Sequence, residues 1–251
     1  MVLTGMKHVY INPKFQNEVF DEKEDFLLFL HAQRTGGSAL RHVITRAWSK
    51  EDLYCTQFVK NFQHWKDVDE ETLEGFKGLA GHSNFVERSF GRRVRLITLL
   101  RHPVLRNISL YYYIQKRKKH PLNEDALSMS LSEFYFKVRP MKLTYFDNVM
   151  CRRISGKPDF QKARDAIEND FWMVGMSEYL GSFVSALLSG LAKPGEETPD
   201  MGSDLDKYRD EVLDRELVEA IFENNKADTK LFNYMNDTYL ESAYAYPAES
   251  I

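Results

Sequence analysis

The chain changes between two hydrophobic periods. Phe26-Leu27-Leu28-Phe29-Leu30 is an unbroken apolar run between Asp25 and His31, which predicts a short strand buried on both faces. Beyond Gly36 and Gly37, the residues Leu40, Val43, Ile44 and Ala47 recur at i, i+3, i+4 and i+7. That spacing predicts a helix with one stripe against a sheet. Strand, glycine turn and helix in that order make the opening half of a βαβ unit. The order returns at Val94–Leu100, a second strand ending at Arg101-His102-Pro103. Pro103 suits a first helical turn, where a missing N–H costs nothing. Val104, Ile108 and Tyr111 or Tyr112 continue that helix to about His120.

Lys77–His82 and Phe171–Met176 predict two more strands, and helical spacing covers roughly 131–138, 142–153, 160–169 and 178–191. Lys193–Asp200 has the composition of a loop. Past it, Val212, Leu213, Leu217, Ile221, Leu231 and Met235 predict one long helix or two joined near Asn224-Asn225. Neither a repeat nor a long linker interrupts the pattern. The expectation is a single α/β domain over 1–251, with its core at about 26–240, a parallel sheet flanked by helices and a helical C-terminal elaboration.

Composition narrows the class. At 251 residues, 43% hydrophobic and 13% aromatic, the chain can bury a sizeable core, which sets aside disorder and low complexity. Two cysteines, Cys55 and Cys151, are too few for a disulfide framework or a thiolate zinc cluster, and leave open one isolated bridge. No stretch approaches the ~18 apolar residues of a membrane span. The N-terminal residues lack a basic head followed by an apolar run. A soluble, cytoplasmic protein without a stable membrane anchor is the expectation.

The net charge of −3 hides an uneven distribution. Between Arg88 and Lys119 there are ten cations and no acid, leaving 24 cations against 37 acids elsewhere. Such a segment predicts either a localised anion site or a solvated basic face. Nucleic acid is not the expected partner, because the pI is near 6.2 and no reader motif is present.

Three constellations carry candidate chemistry. In Gln33-Arg34-Thr35-Gly36-Gly37-Ser38, glycines let a phosphate approach backbone N–H groups, the following helix adds its N-terminal partial charge, and Thr35 or Ser38 offers a hydroxyl. Arg34 adds a fixed cation. The alternative is an ordinary βα turn whose glycines serve geometry alone. Second, Arg101 stands at a strand's carboxyl end with Ser109 almost two helical turns on, a fork and a hydroxyl suited to another phosphate; otherwise they are a surface cation and an indifferent helix residue. Third, His82 closes its own strand, where a histidine is either a general base or structural. There is no Walker A sequence, no G-x-S-x-G elbow and no metal-ligand spacing, so no metal is expected.

Together these segments resemble the sulfotransferase superfamily, which moves a sulfuryl group from 3′-phosphoadenosine 5′-phosphosulfate (PAPS). The likeness is to the carbohydrate O-sulfotransferase branch that includes the heparan sulfate 6-O- and 2-O-enzymes and their bacterial relatives. Leu30–Ser38 looks like that branch's 5′-phosphosulfate loop, whose usual core is Gln/Pro-Lys-Thr-Gly-Gly-Thr. Thr98–Ser109 is similar to its 3′-phosphate motif, R-[DH]-P-x-x-R-x-x-S. Asp147–Gly156 and Val174–Glu178 are weaker likenesses. The four occur in the matching order and spacing, over most of residues 26 to 240.

The resemblance implies a P-loop-like sheet and a PAPS-dependent O-sulfotransferase that releases adenosine 3′,5′-bisphosphate by in-line displacement, with a hydroxyl-bearing, carbohydrate-type acceptor. Carried over by position, Arg34, Thr35, Gly36, Gly37 and Ser38 hold the 5′-phosphosulfate. Arg101 and Ser109 hold the 3′-phosphate, and His82 deprotonates the acceptor. One departure stands out: Arg34 replaces the family's loop lysine, and a guanidinium supplies charge but is a poor proton donor. Two other readings compete, a non-catalytic nucleotide-binding protein and a P-loop-type phosphotransferase. Lys116-Arg117-Lys118-Lys119 is either a contact for an acidic glycan or a solvated helix end. Tyr111-Tyr112-Tyr113 either lines an acceptor cleft or divides between core and surface.

Overall fold

The computed structural model describes residues 8–55, 59, 68–81, 91–193 and 214–240. In chain order the strands are β1 (Val9–Ile11), β2 (Asp25–Leu30), β3 (Leu53–Tyr54), β4 (Gly78–Gly81), β5 (Arg93–Leu100) and β6 (Phe171–Met176). The helices are α1 (Gly37–Ala47), α2 (Glu70–Glu74), α3 (Pro103–Gln115), α4 (Asn123–Ser128), α5 (Leu131–Val138), α6 (Leu143–Phe146), α7 (Val149–Ser155), α8 (Phe160–Asp170) and α9 (Leu180–Gly190). A C-terminal pair follows, Arg215–Asn224 and Lys226–Met235.

The six strands form one sheet in the order β1-β6-β5-β2-β4-β3. Four neighbouring pairs are parallel; β1 runs antiparallel to β6, placing Val9 opposite Gly175. The sheet expected to be parallel is therefore mixed. The two strands that the hydrophobic pattern does not reveal, β1 and β3, have three and two residues, too few for a period to register, and the short helices α2 and α4 are likewise unannounced.

The apolar run of β2 is buried on both sides. Leu27 and Phe29 face α1 and α9, in a layer with Leu40, Ile44, Phe183 and Leu187. Phe26, Leu28 and Leu30 face α7, α8 and the Lys226–Met235 helix, in a layer with Met150, Ile154, Ile167 and Leu231. Burying six consecutive residues suits a central parallel strand, because helices cover both faces. At ~1.5–3 kcal/mol for each fully buried large side chain, this strand and its neighbours are the chief stabilising element. A third apolar cluster joins Val104 and Ile108 of α3 to Phe134, Phe146 and Ile221, tying α3–α6 and the Arg215–Asn224 helix into a helical unit. Cys55 and Cys151 are free thiols in the cores on opposite faces, so no bridge joins them.

The helix expected over 142–153 is broken in two at Asn148, which has φ +47°. Its side chain explains the break. Its Nδ2 donates to the Asn224 carbonyl at 3.0 Å, and its Oδ1 accepts from the amides of Ala227 and Asp228 at 2.9 and 3.1 Å. Asp228 in turn accepts the Met150 and Cys151 amides at 3.0 and 2.8 Å. These bonds satisfy first-turn N–H groups of two helices that are far apart in sequence. The C-terminal pair joins at Asn225, so the two-helix alternative holds. The helix α3 ends at Gln115 rather than near His120. No helix among the described residues is long and apolar enough to cross a membrane.

Candidate functional site

The strand order sets the location before any side chain is considered. From β2 the chain passes through α1 to β3 and β4 on one side; from β5 it passes through α3 to β6 on the other. The neighbours β2 and β5 thus diverge at their carboxyl ends, which opens a crevice between their following loops. Residues 31–36 leave β2 and Arg101 leaves β5 at that edge.

Across the divergence, Arg101 Nη1 donates to the carbonyl of Arg34 at 3.0 Å. Arg34 turns its side chain toward α3, where Nε and Nη2 donate to Ser109 Oγ at 3.1 and 3.0 Å. Its guanidinium carbon lies 4.6 Å from the centroid of the Tyr113 ring. Arg34, Arg101 and Ser109 are thus brought together from positions 67 and 75 residues apart. Ser109 is fully buried and Arg101 nearly so.

The two glycines answer to local geometry. Gly36 has φ +89°, a left-handed backbone at the N-cap of α1. A Cβ on Gly37 would lie 2.1 Å from the His31 ring, so the imidazole occupies the room that this glycine leaves. The turn-geometry account therefore explains both residues, and the turn so formed leads directly into the first amides of α1. Those amides carry the helix's N-terminal partial charge. Thr35 is buried and donates its hydroxyl to the Ala32 carbonyl at 2.8 Å, so its side chain braces the loop. Ser38 is exposed, and its Oγ accepts from Arg41 Nη2 at 3.3 Å; Arg41 Nη1 meets His31 Nδ1, also at 3.3 Å. His82 lies outside the described residues.

The basic segment does not form one patch. Arg93 and Arg95, at the amino end of β5, pair with Asp25 and Glu18. Arg92 donates to the carbonyls of Leu73 and Phe76. Arg106 is wholly buried and donates to the carbonyls of Tyr145 and Phe146 at 3.2 and 2.7 Å, where burial pushes its pKa down to about 10. Lys116–Lys119 are exposed past the end of α3. Within the described part of the segment, Arg101 is the cation that reaches the loop. The tyrosine run also divides: Tyr111 is core and donates to the Met129 carbonyl at 2.7 Å, while Tyr113 faces Arg34.

Two titratable groups that the motifs did not assign flank Arg101. Glu178 Oε1 accepts the His102 amide at 3.2 Å, and burial raises the carboxyl's pKa. His102 is pushed down to about 4, by burial first and then by the Arg101 charge, so its ring is neutral at pH 7. Tyr113 carries a signal that sequence could have supplied, since it falls four residues after Ser109 on one helical face. The Glu178 contact has no such local signal.

Chemically, the arrangement offers backbone N–H donors at a helix start beside two guanidinium groups, equipment for holding an anion. Among the described residues, no three His, Cys, Asp or Glu side chains gather in a group that could hold a metal ion. No protein-family model matches the chain, and no curated protein matches it significantly. What the geometry shows is that the loop after β2 and the end of β5 meet through Arg34, Arg101 and Ser109 where these two strands of a mixed α/β sheet diverge.

Proposed function

We propose that this protein is a PAPS-dependent O-sulfotransferase acting on a hydroxyl of a carbohydrate-type acceptor. The observation that carries this reading is the 3.0 Å bond from Arg101 to the Arg34 carbonyl. It joins the two segments that resemble the 5′-phosphosulfate loop and the 3′-phosphate motif, at the strand divergence where α/β folds place ligands. A donor with phosphates at both ends of one adenosine needs two anion-binding segments held together.

In this reading the amides of Thr35, Gly36, Gly37 and Ser38 bind the 5′-phosphosulfate, and Arg101 with Ser109 binds the 3′-phosphate. The hydroxyl of Thr35 is turned inward, so that residue contributes its amide. The acceptor oxygen forms a bond to sulfur as the bond from sulfur to the 5′-phosphate oxygen breaks, and the acceptor proton passes to His82. Adenosine 3′,5′-bisphosphate leaves. Arg34 stabilises negative charge growing on the departing phosphate; a guanidinium supplies charge but is a poor proton donor. Such transfer depends chiefly on positioning and charge stabilisation, which a cradle and one base supply.

The Arg34–Ser109 bonds favour one second reading, a nucleotide-binding protein without turnover, because the loop cation is engaged and is a poor acid. Transfer of labelled sulfate from PAPS across a panel of sugar and alcohol acceptors separates the two. Transfer to any acceptor supports the enzyme. Binding of adenosine 3′,5′-bisphosphate with no transfer supports the second reading. Equal stabilisation by ATP or ADP points instead to a phosphotransferase.

A further inference from the structure

We propose that Tyr113 is the positioning residue for Arg34, and that arginine stands at the loop's cation position because this tyrosine holds its plane. The functional consequence rests on the donor reading above; the contact itself does not.

The argument begins at the backbone. Arg34 has φ +69°, a left-handed conformation that costs free energy in any residue bearing a Cβ. Such a conformation persists where surrounding contacts over-determine it. Three do so here. Arg101 grips the carbonyl at 3.0 Å, Ser109 Oγ accepts two guanidinium N–H groups at 3.1 and 3.0 Å, and the ring of Tyr113 lies 4.6 Å from the guanidinium carbon.

Ser109 and Tyr113 stand one turn apart on α3, so one helical face supplies both contacts. They do different things. The hydroxyl fixes one edge of the guanidinium but leaves it free to swing about that oxygen. An aromatic ring beside the planar group restricts the swing. Lysine has no such plane: an ammonium is a point charge that approaches a hydroxyl or a ring without orientation. Arg117, just past the helix end, lies 5.1 Å from the same ring centroid and adds a second cation to it. The helix therefore reads arginine at position 34 by shape, and the departure from the family's lysine is matched by a partner 79 positions away in this chain.

The test uses the full chain with 15N-labelled arginine. In the wild type, the Arg34 side-chain N–H signal is displaced by the ring current of Tyr113. The displacement persists in Tyr113→Phe and is lost in Tyr113→Leu and in Tyr113→Gln, the latter a second variant suited to this half-buried position. A signal that does not move between wild type and either ringless variant overturns the contact.

A double-mutant cycle on affinity for adenosine 3′,5′-bisphosphate then tests the consequence. Tyr113→Leu weakens binding about 5-fold when position 34 is arginine, the fold-change of a cation–π contact worth ~1 kcal/mol. It weakens binding less than twofold in the Arg34→Lys protein. Equal losses in both backgrounds mean that Tyr113 supports the fold rather than Arg34, and overturn the positioning role. A wild type that shows the displaced signal but binds no bisphosphate overturns the donor reading and upholds the contact.

Discussion

The two ends of β5 carry the same residue type in opposite settings. At the amino end, Arg93 and Arg95 are answered by carboxylates. Arg93 meets Asp25 at 2.6 Å and Glu18 at 3.1 Å; Arg95, almost wholly buried, meets Asp25 at 3.2 Å and also pairs with Glu18. At the carboxyl end, ~26 Å away by strand rise, Arg101 donates to a carbonyl and Arg34 to a hydroxyl. These bonds run to uncharged oxygens, and the acid beside Arg101 is the buried Glu178 carboxyl, which also accepts the His102 amide. One end uses cations to fasten a β2–β5 pair; the other uses them to join the loop after β2 to the end of β5 and to α3. Counting cations along the segment treats both ends alike, and only the identity of the acceptor atoms separates them.

The largest effect should come from breaking the amino end. Asp25→Ala removes the buried carboxylate shared by Arg93 and Arg95, leaves them Glu18, and should cost about 3 kcal/mol of stability, read as a fall in the urea midpoint. Affinity for adenosine 3′,5′-bisphosphate should stay within about twofold in the protein that remains folded. A large affinity loss would join the two ends functionally and undo the comparison.

Acid separates the ends by pH. Burial works to raise the Asp25 carboxyl, but hydrogen bonds from Arg93 and the Asp21 amide, with the Arg95 charge, hold it below the usual carboxylate range. Its stabilisation is therefore present above about pH 4 and lost as pH falls below it. His102 acts earlier. Its folded pKa of about 4 lies below the ordinary value of 6.5, so the unfolded chain takes up the proton first as pH drops. About 3 kcal/mol should be lost between about pH 6.5 and 4. Glu178, raised by burial, works in the opposite sense. Urea unfolding of His102→Gln across this range should give a flatter profile than the wild type; an unchanged slope would show that His102 is not buried neutral.

At the carboxyl end itself, Arg101→Gln removes a charged donor and should weaken adenosine 3′,5′-bisphosphate binding by ~30-fold, within the range for hydrogen bonds to charged groups. Calorimetric titration measures it, and a loss below about threefold would place the 3′-phosphate elsewhere. The smallest effect belongs to the exposed basic run. Lys118→Ala combined with Lys119→Ala should leave bisphosphate affinity within about twofold, because these side chains lie past the end of α3. A steep loss would return the basic segment to the site.

The fold was readable where local periods are long. The run Phe26–Leu30, the stripe on α1 and the Pro103 start of α3 each declare themselves within a dozen residues. The short strands β1 and β3 do not, and neither does the break at Asn148, whose partners are Asn224, Asn225, Ala227 and Asp228. The site divides in the same way. Arg34, Gly36, Arg101 and Ser109 stand in recognisable local order, but that Gly37 makes room for His31, that Thr35 turns its hydroxyl inward, and that Tyr113 covers Arg34 are facts of long-range packing. Motif order singled out the loop after β2 and the end of β5; which of their residues touch one another came from three-dimensional contact.

The central claim is that the loop after β2 and the end of β5 hold the two phosphates of one nucleotide. Thermal unfolding with adenosine 3′,5′-bisphosphate, adenosine 5′-monophosphate, ADP and ATP, on wild type and Arg101→Gln, tests it most directly. The account predicts the largest rise in melting temperature for the 3′,5′-bisphosphate on wild type, falling to the level of the 5′-monophosphate in Arg101→Gln. No preference for the 3′-phosphate, or a preference that survives removal of the Arg101 guanidinium, would contradict it.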